Sequence, residues 1–200
     1  GDWFYEEDQG QTRLGIRIEE HLHSERSAWQ KIDVYRSAFH GNVLTLDDLV
    51  MLTTRDEFVY HEMLVHVPLC AIESPKDVLI IGGGDCGCIR EVLRHPSVER
   101  VVQCEIDERV TRVSEDHYDW VRPTIADPRV QLVFDDGVKY IDEHRESFDL
   151  IIIDSTDPIG PAVGLFLADF YRKAASALRP GGVMAAQTEA PFWYPVELGK

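Results

Sequence analysis

The chain has 200 residues, 44% of them hydrophobic, which suits one medium domain with a true core, or one domain with a small appendage. Its 20 Lys and Arg against 36 Asp and Glu give a net charge of −16, which argues against a nucleic-acid backbone or an anionic membrane as partner; it could attract cationic small molecules, although solubility alone accounts for such a charge. No apolar run reaches the roughly 18 residues of a membrane span, no signal peptide opens the chain, and Gly1 in place of Met reads as a trimmed start.

Before Pro75 the pattern is antiparallel. Residues 1–26 are polar, with room for one further strand pair. Lys31 to Tyr35 alternates, with Ile32 and Val34 on one face. Gly41-Asn42 marks a turn, Val43 to Leu46 a second strand, Asp47-Asp48 another turn and Leu49 to Thr53 a third strand. Thr54 and Glu57 have capping-box spacing, so a helix is predicted from there to about His66, with Pro68 ending it.

After Pro75 strands and helices alternate. Strands are predicted at Val78–Ile81, Arg100–Glu105, Val130–Phe134, Phe148–Ile153 and Val183–Gln187. Helices are predicted at Cys86–His95, Asp107 to about Trp120, Gly137–Glu143 and Leu165–Leu178, the last stopped by Arg179-Pro180-Gly181-Gly182. This βαβα rhythm predicts a doubly wound parallel sheet, whose ligands bind beyond the carboxyl ends of the strands.

Those ends are acidic. The first runs into Gly82-Gly83-Gly84-Asp85-Cys86-Gly87, formally G-x-G-x-x-G, which fits NAD, FAD or an S-adenosyl ligand, with a plain tight turn as the serious alternative. The second ends in Glu105, at the distance from Gly82 where a carboxylate accepts ribose hydroxyls, while Asp107 reads as a helix cap. The third ends in Asp135-Asp136-Gly137, able to meet an adenine amino group or to cap the next helix. The fourth ends in Asp154-Ser155-Thr156-Asp157-Pro158, whose two carboxylates after the most apolar strand call for a positive partner. Lys and Arg are nearly absent from these tips. A ligand with adenosine at one end and positive charge at the other fits better than a dinucleotide.

Cys70, Cys86, Cys88 and Cys104 form no CxxC pair, so neither a zinc site nor a disulfide framework is expected, and a cytoplasmic location is. His40, His66 and His95 read as ordinary surface or helix-end histidines.

The runs GGGDCGCIREVLRH at 82–95, EID at 105–107, DDG at 135–137, DSTDPIGPAVGLF at 154–166 and RDEFVYHEMLVHVPL at 55–69 resemble the spermidine synthases, the polyamine aminopropyltransferases. The resemblance runs from about Trp3 to Trp193. It implies a Rossmann-like, methyltransferase-type α/β domain at 71–200, preceded at 1–70 by a small antiparallel β-hairpin domain with its linking helix. It implies transfer of an aminopropyl group from decarboxylated S-adenosylmethionine to putrescine, giving spermidine and 5′-methylthioadenosine, with no permanently bound cofactor or metal and with a homodimer or larger assembly.

Carried over by motif, Asp154 is the catalytic carboxylate; amine chemistry adds that it would accept a hydrogen bond from the attacking nitrogen, whose proton leaves through water or His61. Gln30, Gly82, Gly84, Asp85, Glu105, Asp136, Gly137 and Pro161 hold the donor, with Asp85 on its amine and Glu105 on its ribose. Tyr60, His61, Asp85, Asp154, Ser155 and Asp157 line the polyamine site. Three departures stand out. Cys86 replaces a glycine of the loop. Met51 stands where many members have Gln, which leaves the acceptor open. Members continue past Trp193 with further strands and an acceptor-site tyrosine, so a fragment or short form with an open sheet edge is expected. An ordinary methyltransferase and a non-catalytic homologue are the competing readings.

Overall fold

A computed structural model describes residues 2–8, 12–156 and 160–188. The chain starts with a hairpin of its own, β1 (Asp2–Asp8) against β2 (Thr12–Ile18). Next comes a four-stranded antiparallel meander: β3 (Glu20–Arg26), β4 (Lys31–Ser37), β5 (Gly41–Leu46) and β6 (Leu49–Thr53). Residues 1–26 thus carry three strands rather than one pair. β3 was hidden because its residues are mostly polar, and it is held by the ladder to β4. Ile32, Val34, Leu44 and Leu46 alternate inward, and Asp47 and Asp48 make the β5–β6 turn with positive φ.

Helix α1 (Glu57–Cys70) is shifted from its expected place at both ends. The Thr54–Glu57 capping box is not made. Thr54 Oγ1 instead accepts from the Asn42 amide at 2.8 Å and donates to the Asn42 carbonyl, while Glu57 turns inward. Pro68 does not stop the helix. It lies in the last turn, where the following Leu69 is buried against the core.

The parallel sheet has the order β11-β10-β7-β8-β9. Its strands are β7 (Asp77–Gly82), β8 (Arg100–Cys104), β9 (Val130–Val133), β10 (Phe148–Asp154) and β11 (Leu178–Ala186). Side chains on β7 and β10 alternate between two buried layers, so both strands read as unbroken apolar runs. Val78, Ile80, Leu150 and Ile152 pack with α1, α2 (Gly87–Val92) and α3 (Glu108–His117). Leu79, Ile81, Ile151 and Ile153 pack with α5 (Gly137–Asp142) and α6 (Ala168–Ala177). The antiparallel strands contribute Ile32, Val34 and Leu44 to the first of these cores.

Several expected boundaries move, and the helix expected over Cys86–His95 covers only Gly87–Val92. The helix through Trp120 ends at His117, because Tyr118 is extended and turns inward, and a short α4 (Val121–Ile125) follows. The helix from Leu165 is a 3-10 segment (Gly160–Phe166) and then α6. Arg179 to Gly182 falls inside β11 as a bulge, with Phe148 opposite Leu178 but Leu150 opposite Val183. Gly181 supplies the positive φ.

Candidate active site

One cleft of about 720 Å³ lies between the antiparallel sheet, α1 and the carboxyl ends of the parallel strands. It gathers Gln30 from the antiparallel domain and Tyr60 and His61 from α1. It also gathers Gly82, Gly84 and Asp85 after β7, Glu105 after β8, Asp136 and Gly137 after β9, and Asp154 and Ser155 after β10. Met51 and hydrophobic residues of β5 and β6 form the opposite wall. Two expected residues cannot be placed: Asp157 and the side chain of Pro161 lie outside the described residues.

The glycine loop joins the two central strands. Gly82 has φ +84°, and a Cβ there would collide with the carbonyl of Asp154. The Gly83 amide donates to that carbonyl at 2.8 Å. Bare backbone at this point brings Asp85 and Asp154 to one spot. Cys86 takes the left-handed conformation (φ +62°) that a glycine would adopt freely, with its thiol buried beside Gln103. Gly87 opens α2 against the imidazole of His61, where any Cβ would overlap the ring.

Charges in the cleft are ordered by a chain of contacts. Arg90 grips Glu57 with two nitrogens, at 2.9 and 2.8 Å. Glu57 Oε2 meets His61 Nδ1 at 2.6 Å, and His61 Nε2 meets Asp85 Oδ1 at 3.2 Å. Asp85 Oδ1 also accepts from the Gly87 amide at 2.7 Å. Trp120 lies under the Arg90 guanidinium and donates its Nε1–H to the Asp85 carbonyl at 2.9 Å. On the outer side Arg90 Nε donates to Glu91, which also meets Arg94 and His66. His66 contacts His95 at 2.8 Å, so these two histidines belong to the network's rim.

Burial opposes charge on His61, yet Asp85, Glu57 and Asp154 raise its pKa to about 10. At neutral pH the imidazolium donates from both nitrogens, to Glu57 and to Asp85.

The two central carboxylates are pushed apart. Burial works against Asp85, but His61 and the Gly87 amide outweigh it and hold its pKa low. Asp154 is raised by burial and by the charge of Asp85, with His61 and Tyr60 offsetting only part. Tyr60 donates its hydroxyl to Asp154 Oδ1 at 2.7 Å, while Oδ2 is buried without a partner. A buried carboxylate oxygen without a donor is costly, and a donor from a ligand relieves it.

Glu105 accepts from the Asp107 amide at 2.9 Å. Burial, with Asp107 and Asp154 nearby, pushes its pKa up to about 7. Asp107 caps α3 through the Arg109 amide and also accepts from Ser27 and from the Gln30 side-chain amide. Gln30 therefore ties the antiparallel domain to the start of α3. Asp136 caps α5 through the Val138 amide.

Sequence reasoning missed Glu57, Arg90, Trp120 and Cys88. Glu57 and His61 did carry a signal, since an i,i+4 pair shares one helix face.

The site has relatives. A family model described as the spermine/spermidine synthase domain matches residues 57–198, and one described as the spermidine synthase tetramerisation domain matches residues 2–54. A polyamine aminopropyltransferase of Thermoanaerobacter sp. (strain X514) is 50% identical over 192 residues, covering 96% of this chain and 69% of that protein. One from Halorhodospira halophila is 50% identical over 193 residues, covering 95% and 69%. Among solved structures, a spermidine synthase in complex with the transition state analogue AdoDATO superimposes with a TM-score of 0.94 at 40% identity, covering 98% of this chain and 67% of that one. Spermidine synthase from Thermotoga maritima gives a TM-score of 0.93 at 39% identity, with the same coverage.

Replacing Arg90 by Met strips the buried Glu57 of its bidentate partner. The expected cost is about 3 kcal/mol of folding stability. Urea denaturation of both proteins measures it, and a difference near zero would remove Arg90 from the support of His61.

Proposed function

This chain belongs to the spermine/spermidine synthase family of polyamine aminopropyltransferases, and from that premise we propose that its acceptor is putrescine and its product spermidine. The enzyme transfers the aminopropyl group of decarboxylated S-adenosylmethionine, a co-substrate, to a diamine. We read residues 1–70 as the strand domain with its linking helix and 71–200 as the catalytic domain. No described helix is long and apolar enough to cross a membrane. The four free cysteines favour the cytoplasm, the acidity of the chain speaks against nucleic acid, and the match at 2–54 favours a homo-oligomer.

One observation carries the proposed roles: the buried, unpartnered Oδ2 of Asp154 inside a cleft whose charged groups, His61 apart, are all acidic. The sulfonium of the donor already activates the carbon to be transferred. The amine nitrogen attacks it, the new C–N bond forms, the C–S bond breaks and methylthioadenosine leaves. The nitrogen must be unprotonated to attack, yet an alkylammonium has a pKa of about 10, like that of Lys. Asp154 Oδ2 would accept a hydrogen bond from this nitrogen, fix its direction and take the proton on its way to water. Its raised pKa suits that duty better than an ordinary carboxylate. Tyr60 fixes the carboxylate by holding Oδ1, and the His61 cation keeps Asp85 ionised for the amine of the donor. Intact S-adenosylmethionine would bring a carboxylate toward Asp85, which favours the decarboxylated donor.

Glu105 would accept the ribose hydroxyls. Asp136, with Gly137, would meet the adenine end, and Gln30, Gly82 and Gly84 would complete the donor wall. Ser155 would line the polyamine side. Asp157, on the distal amine, and Pro161, on methylthioadenosine, rest on the resemblance alone.

Three outcomes follow from these roles. With decarboxylated S-adenosylmethionine and a panel of diamines, mass spectrometry of the products should show spermidine from putrescine. Asp154→Asn should lower kcat by about 10²- to 10⁴-fold while methylthioadenosine binds as before, and near-normal turnover would exclude Asp154 from the chemistry. Because ribose hydroxyls donate to an ionised carboxylate, methylthioadenosine should bind more tightly as pH rises through about 7. Calorimetry in two buffers of different ionisation heat should record proton release below that pH. PH-independent affinity would refute the role of Glu105.

A further inference from the structure

The thiol of Cys88 takes no part in the proposed reaction, yet it sits against the reaction centre. A nitrogen of His61, Cys88 Sγ and a carboxylate oxygen of Asp154 all lie within 4.8 Å of one another. They come from α1, the first turn of α2 and the end of β10, so no sequence spacing reveals them. Cys88 is fully buried, and His61 is 2% exposed. Asp154 adds a second observation: its Oδ2 is buried without a hydrogen bond of good geometry, and the Cys88 thiol beside the carboxylate offsets only part of the rise in its proton affinity.

The donor set is one imidazole, one thiol and one carboxylate. Zinc-class ions bind such groups at about 2.0 to 2.3 Å in tetrahedral geometry, and three protein ligands leave one position open. Around such an ion, ligand atoms sit about 3.3 to 3.6 Å apart, so no pair needs to close by more than about 1.5 Å. Sulfur selects borderline and soft cations over Mg²⁺ and Ca²⁺. The acidic cleft attracts cations, and His61 and Asp154 both line it, which gives a path of entry.

We propose that His61, Cys88 and Asp154 form a binding site for a zinc-class divalent cation, which enters through the substrate cleft and competes with the acceptor amine. Binding removes two protons to solvent, one from the Cys88 thiol and one from the His61 imidazolium. The double charge of the ion replaces them beside Asp154 and Asp85. The ion and the amine seek the same Asp154 oxygen, so occupancy by metal silences transfer. The competition rests on the acceptor role proposed for Asp154, whereas the binding does not.

Cadmium is the probe, because a thiolate bound to Cd²⁺ gives an ultraviolet charge-transfer band. A Cys70→Ser background removes the exposed thiol. The other ligand cluster among the described residues, Glu62, His66 and Glu91, has no sulfur and gives no such band. Titration of the metal-free enzyme should produce the band at one Cd²⁺ per chain. It should vanish in Cys88→Val and in Cys88→Ser, two variants of different polarity whose folding is checked by methylthioadenosine binding. Asp154→Asn should weaken it. Putrescine should shift its midpoint upward, and Zn²⁺ should inhibit turnover competitively with the diamine. No band, or a band that survives both Cys88 variants, overturns the site. A Cys88-dependent band that ignores putrescine, while putrescine is turned over, overturns the competition. If the band forms but no diamine is a substrate, the metal site stands and the acceptor reading falls.

Discussion

One imidazolium makes the rest of the cleft possible. Strands β7 and β10 are adjacent and parallel, so their carboxyl ends deliver Asp85 and Asp154 to one half-buried spot. Two carboxylates cannot both ionise there cheaply. His61 resolves this by sitting beside Asp85 and leaving Asp154 as the carboxylate of higher proton affinity. In the proposed reaction, that split gives one group to hold a cationic ligand and another to accept a proton, from two residues of the same type. The assignment follows from environment and not from residue identity.

The charge on His61 is itself held from behind. Glu57 balances it, and Arg90 keeps Glu57 ionised and aimed, with Trp120 packed under the guanidinium. Each member would be costly if buried alone, so the chain stands as a unit. Steric terms fix it in place. Gly87 lets α2 approach the His61 ring, and Gly82 lets the backbone of β7 meet that of β10. The antiparallel domain closes the opposite wall with β5 and β6 and reaches α3 through Gln30 and Asp107. The same closeness sets Cys88 beside Asp154, where a soft metal ion and an amine have reason to compete.

Much of this was legible because strand ends obey a general rule. The apolar runs at 78–81 and 148–153 and the glycine loop located the parallel sheet. Placing Asp85, Glu105, Asp136 and Asp154 at its ends needed only chain order. The Asp107 cap was legible for the same local reason, and its side chain accepts the Arg109 amide. What escaped was set by distant partners. The Thr54–Glu57 motif fits a capping box, yet Asn42 claims Thr54, while His61 and Arg90 claim Glu57. Pro68 reads as a helix stop, but burial of Leu69 carries the helix past it. Polar β3 has no period of its own and owes its form to β4. Arg90 drew no reading of its own, because nothing in its neighbours foretells a partner 33 positions earlier. His61 was legible as a cleft residue, whereas its charge was not, because that depends on carboxylates from three elements.

The protonation of His61 tests this account most directly. Nitrogen-detected NMR of enzyme labelled in histidine, with His61→Gln to assign the signal, reports both ring nitrogens. From about pH 6 to about pH 9, the range in which an unperturbed histidine loses its charge, His61 should show two protonated nitrogens, with loss only near 10. A neutral imidazole at pH 7.5 or so would contradict the account: Asp85 and Asp154 would then lack their cation, and the division of labour between them would have no physical basis.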